Sequence, residues 1–122
     1  MILVDIKNRL LELPVEIKNA KKGLLTLQES LIEQNEALKK WELEQMNDIA
    51  NAVDAAGKAL YSNDIKRQAE LQNRKEASDA YKELKNKVES LTYQIKVTEI
   101  DVAGLYDEQG NLRAICKLEE VA

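Results

Sequence analysis

Histidine and phenylalanine are both absent from the 122 residues. Without histidine the chain lacks the commonest general base and metal ligand. A Ser–His or Cys–His nucleophile cannot be assembled within it. Without phenylalanine, and with a single tryptophan, it lacks the bulky side chains that usually fill a sandwich or α/β core. One cysteine, Cys116, permits no intrachain disulfide and no zinc spacing, which suits a cytoplasmic setting. No apolar run reaches the length of a membrane span. The opening "MILVDIKNRLLELP" is interrupted by Asp5, Lys7, Arg9 and Glu12, which argues against a signal peptide. Walker, GxGxxG and CxxC motifs are missing too. The expectation is a protein that is not an enzyme, with no cofactor, no metal and no membrane partner.

What is present belongs to long helices. A third of the residues are charged, and Leu, Ile, Val and Ala supply most of the apolar share, the composition of coiled coils. The 18 basic and 22 acidic residues are interleaved, so no block of one sign marks a nucleic-acid footprint. The carboxylates Glu29, Glu33 and Glu36 stand at helical spacing, but they lie off the apolar seam and read as solvated surface charge rather than metal ligands.

Periodicity orders the chain. After Pro14, the residues Ile17, Ala20, Leu24, Leu27, Leu31, Gln34, Leu38 and Trp41 recur at alternating spacings of three and four, the rhythm of a heptad seam. Met46, Ile49, Val53, Ala56 and Leu60 continue it after a one-residue slip. Proline suits a first helical turn, so a helix is predicted over 14–60. Ser62, Asn63 and Asp64 are good caps for a return helix over 64–103. Its seam is Ala77, Tyr81, Leu84, Val88, Leu91, Ile95, Thr98, Val102 and Leu105, and Gly104 is the expected stop. A joint at 61–64 turns the helices back on each other and sets Trp41 against Tyr81 and Leu38 against Leu84.

The ends are less regular. In 1–13, Ile6, Leu10 and Leu13 stay in phase with Ile17, as a kinked extension or a short separate helix. The tail, 104–122, holds Gln109-Gly110-Asn111, which reads as a turn followed by a short helix, or as a small β-hairpin. The predicted fold is all-α: one domain, a long antiparallel helical hairpin of coiled-coil type. Leu25, Leu43, Tyr93, Ile100 and Tyr106 fall off the seam as a second apolar set. Monomers seldom expose so much, so a homodimer packed as a four-helix assembly is expected.

The stretch "GKALYSND" from Gly57 to Asp64 interrupts the helix formers. Glycine costs about 1 kcal/mol within a helix, and close helix approach beside Ala52, Ala55, Ala56 and Ala59 is one reason to accept it. Capping accounts for Ser62 to Asp64. Lys58 and Tyr61 are left over, and with Arg67 and Arg74 they are the candidate partner-binding residues. Lys66, Arg67, Arg74 and Lys75 beside Tyr61 could also hold a phosphate backbone, although acidic neighbours explain the same cations as helical ion pairs.

The segment "NAVDAAGKALYSNDIKRQAELQNR…YKEL", Asn51 to Leu84, resembles a group of small helical proteins of phages and prophages. They share an "AVD…GK…YSN…R.A" block followed by a Tyr and a long coiled-coil C-terminus. The matching positions are Ala52, Val53, Asp54, Gly57, Lys58, Tyr61, Ser62, Asn63, Arg67 and Ala69. The tail "LYDEQGNLRAICK" departs from the continuous basic helix of that group. The resemblance implies an accessory product encoded near phage recombination functions. On that basis the expected function is an interaction module that binds, and inhibits, a host DNA-processing or defence complex in the host cytoplasm. The alternatives are a self-assembling scaffold and a nucleic-acid-binding recombination accessory. Prefoldin-like chaperones share the size and helical form, but they place β-hairpins between helices, for which the joint is expected to leave no room.

Overall fold

The computed structural model describes residues 2–121. Met1 and Ala122, at the outer ends of the expected segments 1–13 and 104–122, lie outside the described residues. Three helices are found among the described residues: α1 Leu3–Asn51, α2 Asp64–Ala77 and α3 Asp79–Val121. Among the described residues there is no strand, only one isolated bridge between Val53 and Ala59. The chain is all-helical, as its composition predicts, and the return helix starts at Asp64 as expected, but the other segment boundaries need correction.

The first helix is not 14–60. It starts eleven residues earlier, so Pro14 lies inside α1 rather than in its first turn. An interior proline costs about 3 kcal/mol, because its N–H is missing and its ring crowds the carbonyl four residues back. The cost is offset by burial around it. Ile6, Leu13 and Ile17 are buried, each worth about 1.5–3 kcal/mol. The helix ends at Asn51 instead of Leu60, and Val53, Ala56 and Leu60 are exposed instead of continuing the seam.

The return helix is broken at Ser78, which is extended (φ −92°, ψ 115°). Its hydroxyl accepts a hydrogen bond from the Tyr81 amide at 3.1 Å, so Ser78 caps a new helix that begins at Asp79. Ala77, expected as the first seam residue, is exposed. The tail is neither turn nor β-hairpin. α3 runs through Gly104 and Gly110 to Val121, since Leu105, Leu112 and Cys116 extend the three-four rhythm and have somewhere to pack.

The chain divides into two compact units. One joins the chain up to Glu29 with the chain from Leu91 onward; the other is Ser30–Ser90. In the first, Ile6, Leu13, Ile17 and Leu112 form the core, with Leu10, Leu105 and Cys116 against it. Ion pairs flank that core: Arg9 meets Glu108 and Lys7 meets Glu120. The Lys21 ammonium lies 5.1 Å from the Tyr106 ring centroid. Later α1 residues thus meet earlier α3 residues, an antiparallel order.

In the Ser30–Ser90 unit, Ile49 and Leu71 are buried. The rings of Trp41 and Tyr81 lie 4.8 Å apart and tilted by 39°, the pairing expected from the heptads. Lys75 binds Glu42 at 3.0 Å and lies 5.4 Å from the Tyr81 ring centroid. The other expected seam residues, from Ile17 to Trp41 and from Tyr81 to Leu105, are buried or half-buried.

Candidate functional site: the joint and its basic residues

Twelve residues, 52–63, connect α1 to α2, in place of the four expected. Asp54 organises the turn. Its amide donates to the Lys58 carbonyl at 2.8 Å and its carbonyl accepts from the Gly57 amide at 3.0 Å. Its carboxylate Oδ1 accepts from the amides of Ala56 at 2.9 Å and Lys58 at 3.0 Å. This is a β-turn followed by a bulge, with glycine at the left-handed position. Gly57 has φ +80°, where a side chain is strained. A Cβ built there meets nothing within 4 Å. Close helix approach is therefore not why glycine is needed; the turn conformation is.

The Val53–Ala59 bridge and a 2.9 Å bond from the Leu60 amide to the Ala52 carbonyl close the loop. The joint thus has room for β-pairing, and the objection to a chaperone-like arrangement on that ground does not hold. A single bridge is nevertheless one residue pair and not a hairpin of strands.

Each candidate residue has a distinct place. Lys58 is exposed on the turn. Tyr61 is half-buried, and its carbonyl accepts a 3.1 Å bond from Arg67 Nε. Arg67 therefore stabilises the entry to α2. Asn63 is the residue that caps this helix, accepting from the Lys66 amide at 2.9 Å.

Arg74 belongs to a second network, between α2 and α1, which the Tyr61 side chain also reaches. It contacts Asp48 at 2.6 Å, Gln45 at 3.0 Å and Glu70 at 3.1 Å. Hydrogen bonds to Asp48 and then Glu70 hold its pKa above the ordinary arginine value, with a smaller contribution from Tyr61. The structure thus links Tyr61 to Arg67 through its carbonyl and to Arg74 through its side chain, leaves Lys58 exposed on the turn, and commits Arg74 to joining α2 to α1. These partners could be found in the sequence from Asp48 and Glu70, which lie at the reflected and i−4 positions of Arg74.

No group of three or more His, Cys, Asp or Glu among the described residues is placed to hold a metal ion. No helix among the described residues is long and apolar enough to cross a membrane. The five off-seam residues are all exposed: Leu25, Leu43, Tyr93, Ile100 and Tyr106, at 43–70%. No known protein-family model, no curated protein and no solved structure matches this chain.

Proposed function

We propose that the chain is a non-enzymatic protein-interaction module, a helical hairpin of coiled-coil type that pairs with a second copy. In the setting implied by the phage resemblance, it binds and inhibits a host DNA-processing or defence complex in the host cytoplasm. The observation that carries this reading is the exposure of large apolar side chains along helices already packed on another face. Leu43, Tyr93 and Ile100 are each 70% exposed, and surface of that kind marks interaction sites.

The nucleic-acid reading is the weaker one. Arg74 spends its guanidinium group on Asp48, Glu70 and Gln45, and Arg67 turns its Nε to the Tyr61 carbonyl, so the basic residues do not form one free face for a phosphate backbone. Lys58 is the candidate residue still presented to solvent, and a partner contact at the joint would centre on it.

Two measurements test the proposal. Sedimentation equilibrium at micromolar concentration is expected to give a dimer, and a monomer would remove the self-pairing. A tagged pull-down from host lysate is expected to recover host DNA-processing proteins, and recovery of the chain alone would remove the inhibitory role.

A further inference from the structure

In the Ser30–Ser90 unit, α1 presents Ile32, Glu36, Lys39 and Leu43 on one face, spaced four, three and four, which is the spacing of a coiled-coil seam. All four are exposed, Ile32 at 58% and Leu43 at 70%. The ion pairs of this unit are Arg74–Asp48, Arg74–Glu70, Lys75–Glu42 and Lys87–Glu83. None of them uses Glu36 or Lys39, although both stand at the centre of the face. Beside it lies a groove of about 410 Å³ whose lining includes Lys39, Leu43, Met46 and Leu71.

The order apolar, acidic, basic, apolar becomes its own complement when reversed. A second copy laid antiparallel sets Ile32 against Leu43 and Glu36 against Lys39, each twice. The two-fold axis falls between residues 37 and 38 along the helix. Laid parallel, the same face would set Glu36 against Glu36 and Lys39 against Lys39, and like charges face to face are costly.

We propose that this face is the self-association surface: α1 of a second copy lies antiparallel across it, with Glu36 of each copy on Lys39 of the other. The partner's Ile32 then seats at the mouth of the groove beside Leu43, and the central charge pairs fix orientation and register. This rests on the self-pairing reading above and adds which face pairs, in which direction.

The test is a charge exchange read by sedimentation equilibrium, with helicity followed by circular dichroism. E36K sets lysine against lysine across the axis, and K39E sets glutamate against glutamate. Each is expected to weaken the dimer on the order of tenfold or more, about 1.4 kcal/mol per tenfold, with helicity unchanged because both positions are on the surface. The double variant E36K/K39E restores dimerisation. An equimolar mixture of the two single variants forms a heterodimer, since every facing pair is again of opposite sign. A wild-type dimer whose strength neither single variant alters would overturn this face while leaving self-pairing intact on another. A wild-type monomer would overturn both and leave the face for a different protein.

Discussion

Arg9 and Glu108, 99 residues apart along the chain, meet through two hydrogen bonds of 2.8 Å each, Nε to Oε2 and Nη2 to Oε1. The remaining Nη1 of Arg9 reaches Glu16 at 2.7 Å and Glu12 at 3.3 Å. One guanidinium therefore ties the first helix to the last by the forked geometry that arginine matches best. The bonds to Arg9 lower the Glu108 pKa below its ordinary 4.5, while those to Glu108 and then Glu16 hold Arg9 charged far above any working pH.

A carboxylate with a depressed folded pKa stabilises the fold above its unfolded value, and the contribution is lost as pH falls through the folded one. The stability of the wild type should therefore decline from about pH 5 downward as Glu108 takes up its proton. E108Q is expected to unfold at a lower temperature at pH 7 and to show a shallower decline with acid. Thermal unfolding followed by circular dichroism between neutral and acid pH would measure both. Equal slopes for the two proteins would mean that other carboxylates set the acid limit.

Gly57 gives a sharper test of the joint. Gly57→Ala places a Cβ at φ +80°, at a cost of roughly 1–2 kcal/mol. The space there is open, so the loss is conformational and not a clash. Gly57→Asn, which tolerates the left-handed region better, should recover part of it in urea unfolding. If alanine were neutral, the turn would not have the conformation described.

Pro14→Ala has the opposite sign. It restores an amide to the helix interior and removes the ring's conflict with the Leu10 carbonyl, so stability should rise, by up to about 3 kcal/mol. The neighbouring Leu13→Ala should lose about 2–5 kcal/mol, because Leu13 is fully buried. Denaturant midpoints of the two variants should move in opposite directions.

At the joint, Lys58→Glu should leave helicity and self-association unchanged and weaken partner capture in the pull-down. Tyr61→Ala should also spare the helices, since Arg67 bonds to the backbone carbonyl of residue 61 and the side chain adds only the smallest contribution to an Arg74 already held by Asp48 and Glu70. A loss of folding in Tyr61→Ala would show that the half-buried ring is core.

The parts of this fold legible in the sequence were those governed by the three-four rhythm. The inward positions from Ile17 to Ile49 and from Tyr81 to Leu105, and the pairing of Trp41 with Tyr81, followed from spacing. The exposed set around Leu43 and Ile100 followed from what the seam left over. Helix ends were less legible, because they are decided by single hydrogen bonds. The segment after Asn51 is rich in alanine and propensity favours helix, yet Asp54 and Gly57 at positions one and four of a turn override it. Ser78 was hidden inside an unbroken heptad pattern, although Ser followed by Asp is a helix-start signal. Gly104 and Gly110 suggested a stop, but burial of Leu105 and Leu112 outweighs about 1 kcal/mol for each glycine. At the candidate site, the exposure of Lys58 was legible. The bond from Arg74 to Gln45 was not, because it depends on where α2 lies along α1, whereas Asp48 stands at the reflected position of Arg74.

The one-residue break at Ser78 also bears on how the chain tolerates insertions and deletions. Within an uninterrupted helix, deleting one residue turns everything beyond it by about 100° and scatters the downstream seam. Here α3 starts from its own cap, and the dihedrals of Ser78 relate its rotational phase to that of α2. A length change within α2 would leave that seam in register only by altering the Ser78 dihedrals, the one non-helical pair between the two helices.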